Sequence, residues 1–339
     1  MTVAKASGSF IQGWVACSYT DDQWEKEFGF MKEAGIQKLI VQTTVDEEGT
    51  DSTPPSSVPT SMLSLYPSQI PGMTYQGAVA STVESILRQA QANGVSVYLG
   101  LNSNLTAWKA GDLDNRPALM DPNWGPAEAA RGNAIADELS NLYLAKYPQA
   151  FAGWYWPWEI DNSSTFLSQA GQAALTTMMN VNLNHLMTIG GGLPVMISPF
   201  FNPDPNVSSM ADAVDFWTAM FAQLDGFGAN GIFSPQDGIG AGAVQLADLA
   251  PWYGALAGAA ASQPGIKFWA NCETFQGNPG TTAPLTRVVQ QFQAVAPYVS
   301  DIVTFDYTYY DSPLRVDQSI QDAWVQYYQT GKLPPATQT

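Results

Sequence analysis

The sequence holds a single histidine, His185, among its 339 residues. A zinc site with two or more imidazole ligands is thereby excluded, and a serine–histidine–aspartate arrangement is disfavoured. Basic residues are also scarce, with 13 Lys plus Arg against 30 Asp plus Glu and a formal net charge of −17. Nothing in such a balance neutralises phosphates, which argues against nucleic acid and anionic membrane surfaces as partners. Charged residues make up only 13% of the chain, about half the usual share for a soluble domain. The surface must then be neutral and polar, built from Ser, Thr, Asn, Gln and Gly. Cysteine is limited to Cys17 and Cys272, too few for a disulfide framework, and both are read as free thiols. No run of about 18 apolar residues occurs, so no membrane span is expected. Carboxylates, amides, tyrosines and tryptophans remain for chemistry, and neither metal nor cofactor is expected.

What is present is an alternation of short apolar runs with helical patterns. The apolar runs are Gly8–Trp14, Lys38–Gln42, Val95–Leu101, Phe151–Trp156, Pro194–Phe200, Gly228–Phe233, Lys267–Glu273 and Asp301–Tyr307. After the first run, Thr20 or Asp21 caps a helix carrying Trp24, Phe28 and Met31 on one face, and Gly35 closes it. Later helices end near Asn93-Gly94, Tyr147 and Gly190, and others cover Val214–Leu224, Val244–Ala261, Leu285–Ala296 and Ala323–Tyr328. Two stretches, Asp46–Gly77 and Asn102–Pro126, are too polar and proline-rich for regular elements and read as long loops. Eight strand–helix units in a chain of this length predict one (β/α)8 TIM barrel, an α/β fold spanning 1–339 as a single domain. The long loops fall after strands two and three.

In such a barrel the loops at the carboxyl ends of the strands meet on one face, where function gathers. Strand one is followed by Gln12, Trp14 and Tyr19, strand two by Gln42 and Thr44, and strand three by Asn102 and Asn104. Strand four runs into Trp154-Tyr-Trp-Pro-Trp-Glu159, strand five into Ser198, Phe200 and Asn202, and strand six into Gln236-Asp237. Strand seven ends Trp269-Ala-Asn271-Cys-Glu273, and strand eight supplies Asp306, Tyr307, Tyr309 and Tyr310. Aromatic faces stack on pyranose rings while amides and carboxylates grip hydroxyls, so this inventory fits a sugar site. Glu159 and Glu273 stand out because they end apolar, tryptophan-rich strands, where an unpaired carboxylate is costly to bury. Glycoside hydrolysis needs two carboxyl groups, one protonated in an apolar setting and one ionised and hydrogen-bonded. Glu159, beside Trp156, Pro157 and Trp158, has the setting that raises a pKa, and Asn271 is placed to hold Glu273 ionised. Activity on the acid side of neutral follows from that assignment. The substrate-contacting set is Gln12, Trp14, Gln42, Asn102, Trp156, Asn202, Asp237, Asn271, Tyr307 and Tyr309, with Trp154 and Trp269 as further cleft walls. His185, mid-helix, reads as structural.

The order of units, with a glutamate ending strand four and another ending strand seven, resembles the superfamily of retaining (β/α)8 glycoside hydrolases. More narrowly, Gly8-Ser-Phe-Ile-Gln12, Lys38-Leu-Ile-Val-Gln42, Gly153-Trp-Tyr, Ser234-Pro-Gln-Asp237 and Trp269-Ala-Asn-Cys-Glu273 resemble a poorly characterised family of glycoside-hydrolase-like barrels. The superfamily resemblance implies Glu159 as acid/base and Glu273 as nucleophile. Two departures accompany it. Trp158 stands where that pattern has Asn, and Arg88, Arg116, Arg131, Arg287 and Arg315 all fall in helices or loops rather than at a strand end. The expectation is a retaining, internal-cutting hydrolase acting as a monomer on a neutral or cationic oligo- or polysaccharide, the net charge disfavouring a polyanion. The alternatives are an inverting enzyme using Asp237 and a silent glycan-binding barrel. Sequons at Asn104, Asn162 and Asn206, with the acidity and few lysines, favour a secreted protein whose signal peptide is absent from this sequence.

Overall fold

The computed structural model describes residues 3–48, 61–104, 119, 121–277 and 280–333. Eight parallel strands close into a barrel: β1 (Gly8–Ile11), β2 (Lys38–Val41), β3 (Ser96–Gly100), β4 (Phe151–Trp156), β5 (Val195–Ile197), β6 (Ile232–Phe233), β7 (Lys267–Glu273) and β8 (Asp301–Phe305). Each strand pairs with its neighbours in sequence, and β1 closes the ring on β8 through Gly8–Val303 and Ser9–Thr304. A helix follows each strand: α1 (Asp21–Glu33), α2 (Thr82–Asn93), α3 (Trp124–Leu139), α4 (Gln169–Thr188), α5 (Met210–Gln223), α6 (Leu246–Ala261), α7 (Leu285–Val295) and α8 (Gln318–Thr330). The expected TIM barrel is therefore the fold.

Local chemistry accounts for the helix ends. Thr20 and Gln23 form a reciprocal capping box at the start of α1, and Ser209 with Asp212 does the same for α5. Trp24, Phe28 and Met31 are fully buried, as their spacing requires. Gly94 ends α2 in the left-handed conformation, φ 69°, which lets the chain turn at once into β3.

The strands split their side chains between two cores. Phe10, Ile40, Tyr98, Tyr155, Met196, Ile232, Trp269 and Val303, one from each strand, fill the barrel interior. Their neighbours Leu39, Val41, Leu99, Trp154, Trp156, Phe268, Ala270 and Cys272 point outward into the helix layer. The period of two fixes this division.

Several boundaries differ from expectation. β1 stops at Ile11 because Gly13–Ala16 turns helical. β5 and β6 keep only three and two residues, and Phe227–Asn230 forms a helical turn ahead of β6. β8 ends at Phe305, with Tyr307–Tyr310 helical after it. The stretches expected to be irregular carry a small sheet: Met73–Tyr75, Ser61–Ser64, Val45–Glu48 and Asn102–Asn104 lie side by side in that order. Residues 49–60, 105–118 and 120 of those two stretches, Arg116 among them, lie outside the described residues. Cys17 and Cys272 are free thiols, since Cys272 faces the helix layer while Cys17 lies beyond the end of β1.

Candidate active site

Along β7, Trp269 points inward while Ala270 and Cys272 point outward, so Asn271 and Glu273 fall on the barrel side. Glu273 ends the strand at the mouth and is 5% exposed. Its Oε2 accepts a hydrogen bond from the backbone N–H of Ala241 at 2.8 Å, and the N–H of Gly240 also points to the carboxylate. A Cβ on residue 240 would lie 2.9 Å from that oxygen and 2.4 Å from the Phe275 carbonyl. The loop after β6 therefore folds onto Glu273 only because residue 240 has no side chain.

Behind Glu273 lies Asp237, fully buried. Its Oδ1 accepts from the backbone N–H of Glu273 and of Ile239, each at 3.2 Å. Its Oδ2 accepts from Gln291 Nε2, which also donates to the Glu273 carbonyl at 3.1 Å. Asp237 is thus part of the strand's support and not a ligand facing the cleft. Arg287, on α7, donates to the carbonyls of Glu273 (3.3 Å) and Phe275 (2.6 Å). An arginine does brace the end of strand seven; its place in a helix hid it in the sequence. Burial above all, then the charges of Asp237 and Glu159, push the Glu273 carboxyl up to about 8, against the two backbone donors. Burial also raises Asp237.

Glu159 lies three residues beyond β4 and is half-buried. Gln236 Nε2 donates to its Oε1 at 3.0 Å and to the Ser198 carbonyl at 2.9 Å. Gln236 is fixed in turn by its backbone N–H on the Pro199 carbonyl and by a parallel bridge to Asn271. This glutamine, placed after strand six by the sequence, links the ends of strands four, five, six and seven, a role its position alone does not announce. Among the described residues, the tryptophans of β4 do not collar Glu159. Trp154 and Trp156 point into the helix layer, Trp156 donating to Asn182 on α4, and Trp158 packs edge-on against Trp124. Alternation about the inward Tyr155 turns both strand tryptophans outward, and of the two glutamates Glu273 is the more deeply buried.

A second cluster joins β8 to β1. Asp306, buried, accepts from Gln12 Nε2 at 2.9 Å, from the Tyr309 N–H at 2.6 Å and from Thr308 at 3.2 Å. Burial pushes its carboxyl up to about 6 against those donors. Gln12 Oε1 accepts from Trp14 Nε1 at 3.0 Å. Trp14 is 53% exposed and meets Tyr309 edge-on, ring centres 5.0 Å apart. Gln12, Trp14 and Tyr309 therefore come together at the mouth.

Other expected contacts are placed elsewhere. Asn102 is buried under α3, donating to Glu128, because its strand joins the small sheet. Tyr307 is fully buried against Trp324 and bonds Gln321 of α8. Trp156 is buried as described, and Trp269 plugs the barrel against Tyr98. Asn271 gives its amide N–H to Ser198 Oγ at 3.0 Å and not to Glu273. Asn202 holds its own loop through the Asp204 N–H and through Asn162. Gln42, at the end of β2, is half-buried. Two sequon asparagines, Asn104 and Asn162, are buried, which leaves Asn206 as the exposed one. His185 pairs with Asp137 between helices, a structural role.

Among solved structures, the chain is similar to a Bacteroides thetaiotaomicron VPI-5482 protein provisionally named an alpha-L-fucosidase, with 19% identity, TM-score 0.73 and 96% of each chain covered. It is also similar to a beta-galactosidase of the psychrophile Marinomonas ef1 (9% identity, TM-score 0.54, 95% of this chain and 58% of that one). A cold-adapted beta-galactosidase of Rahnella sp. R3 gives 11% identity and TM-score 0.56, with 97% of this chain and 56% of that one covered. The chain thus spans little more than half the length of the two galactosidases. At these identities the likeness is one of fold, a TIM barrel shared with glycosidases. No curated protein matches the sequence. Residues 6–317 match one family throughout, and the chain belongs to that family, described as Domain of unknown function (DUF4434).

Proposed function

We propose that this protein is a glycoside hydrolase whose working carboxyl pair is Glu159 and Glu273. The observation that carries the reading is their joint placement. The two glutamates lie at the carboxyl ends of β4 and β7, close enough for the Glu159 charge to act on Glu273, and Gln236, which donates to Glu159, bridges to Asn271 on the strand that Glu273 ends. Burial first, then the charge of Asp237 and last that of Glu159, favour the protonated form of Glu273, and glycosidic cleavage needs one acid and one carboxylate. The similarity in fold to glycosidases supports the same reading. The chemistry is proposed as retaining, with Glu159 protonating the leaving oxygen and Glu273 attacking the anomeric carbon, as the superfamily resemblance implies. The small sheet raised after strands two and three suits the wall of a cleft that takes an internal stretch of glycan. A net charge of −17 favours a chain that is neutral over most of its length.

The deeper burial of Glu273 favours a second reading with the roles exchanged, because the resting proton is drawn to the more desolvated group. One experiment divides the two. Purified protein and its Glu159→Gln and Glu273→Gln variants are assayed on polysaccharides and on aryl glycosides with activated leaving groups. Both variants should lose at least about 1,000-fold on polysaccharide. The variant that keeps activity on the activated substrates has lost the acid, since such leaving groups need little protonation. Product anomer read by NMR reports retention or inversion. Full activity of both variants would dismiss the pair. The alkaline limb of kcat/KM should lie near pH 8, where the Glu273 carboxyl loses its proton, rather than below 6; a limb below 6 would place the proton on another group.

A further inference from the structure

We propose that Trp14, Tyr309 and Arg315 form a subsite for a carboxylated sugar, a single uronic acid ring within an otherwise neutral glycan. The inference rests on the glycoside-hydrolase reading for its ligand class, and it adds the chemistry of one ring. The guanidinium of Arg315 sits over the Tyr309 ring, 4.4 Å from its centre, and 5.7 Å from the centre of the Trp14 ring. Arg315 is exposed, and among the described residues no carboxylate lies within ion-pair distance of it. Its side-chain N–H groups have no acceptor among them either.

Three features mark this as a held platform and not a loose surface arginine. Trp14 is anchored through Gln12 to the buried Asp306, so a 53% exposed indole is fixed in orientation. Arg315 rides on a turn whose Ser312 carbonyl accepts from the N–H groups of Arg315 (2.9 Å) and Val316 (3.0 Å). The Ser312 hydroxyl is itself bonded to the buried Glu27. Both oxygens of Asp306 are spent on Gln12, Thr308 and Tyr309, which leaves the guanidinium fork free for an outside acceptor.

The chemistry selects the ligand. An exposed indole face takes the apolar face of a sugar ring, and an arginine edge matches a carboxylate with two parallel N–H···O bonds. The long-range field of a −17 protein repels a polyanion, yet salt screens it within about 10 Å, so one carboxylate touching Arg315 still gains. The cluster flanks Glu273 on the β8 side: Tyr309 packs on Tyr310, whose ring stacks on Phe275, two residues beyond Glu273.

The test uses paired xylo-, gluco- and galacto-oligosaccharides, each with and without one uronic acid residue, titrated against the wild-type protein by calorimetry and tryptophan fluorescence. At least one acidic member should bind 10-fold or more tightly than its neutral twin. Arg315→Gln should reduce that preference to within about twofold, Arg315→Lys should keep part of it, and Trp14→Ala should weaken both members. No binding by any acidic member, or a preference that Arg315→Gln leaves intact, overturns the subsite. Turnover of neutral members without acid preference removes the subsite and leaves the hydrolase reading standing. Binding with the expected Arg315 dependence but no hydrolysis anywhere does the reverse.

Discussion

Glu159 and Glu273 were legible as candidates because each ends a run of apolar residues, where a carboxylate needs a reason to be. Their surroundings were not. The sequence puts Asp237, in the turn Gln236-Asp-Gly, among the substrate-contacting residues, and only the folded chain brings it against Gln291 on a helix 54 positions later. The same limit hid Arg287, whose contact is with backbone carbonyls, a partner no sequence pattern announces. Asp237 and Gln291 together make one prediction. Gln291→Leu takes the amide donor from Asp237 Oδ2 and leaves the carboxylate the Cys272 thiol as its side-chain partner, and a buried acceptor that loses its donor costs about 1–3 kcal/mol. Denaturant unfolding should show that loss. The backbone of Glu273 also loses a donor to its carbonyl, so kcat should fall more than KM changes. Unchanged stability would mean that water replaces the amide.

At the scale of elements, the periodicities carried the fold. A period of 3.6 placed Trp24, Phe28 and Met31 on one buried face, and short apolar runs marked the strands covered on both sides. Facing was the failure. Trp154 and Trp156 were expected in the cleft, and a strand's composition does not say which of its two alternating sets points inward. The small sheet was missed for another reason. Its strands hold Ser, Asp, Glu and Asn, poor strand formers that pair only because the loops bring their edges together. The loop after β6 offers the sharpest test at this scale. Gly240→Ala places a methyl 2.4 Å from the Phe275 carbonyl and 2.9 Å from the Glu273 carboxylate, so the loop must lift. The backbone donors on Glu273 then withdraw, and turnover should drop about 10-fold or more while the thermal unfolding temperature moves little. Wild-type kinetics in that variant would show that the loop does not set the carboxylate.

For the molecule as a whole, the buried carboxyls decide how stability depends on pH. Glu27 is fully buried and pushed up to about 8, chiefly by burial, although Ser312 donates to it. Glu273 is raised to about 8 and Asp306 to about 6 for the same first cause. In the unfolded chain these groups titrate near 4. Between about pH 4 and 8 the folded protein therefore binds more protons than the unfolded one, and stability must fall as pH rises through that window. Asp21 and Glu84, held below the usual range by hydrogen bonds from Ser85 and Lys146, act oppositely. They favour the folded state above their unfolded pKa values and lose that contribution as pH drops through the folded ones. The two trends place maximal stability on the acid side of neutral, near pH 5. Thermal unfolding followed by circular dichroism should show a midpoint several degrees lower at pH 8 than at pH 5. Glu27→Gln keeps the shape of the side chain, removes one titrating group, and should flatten that decline without abolishing it. A midpoint that is constant or rises from pH 5 to 8 would mean that these carboxyls ionise freely in the folded protein, and burial would then not be what sets their chemistry.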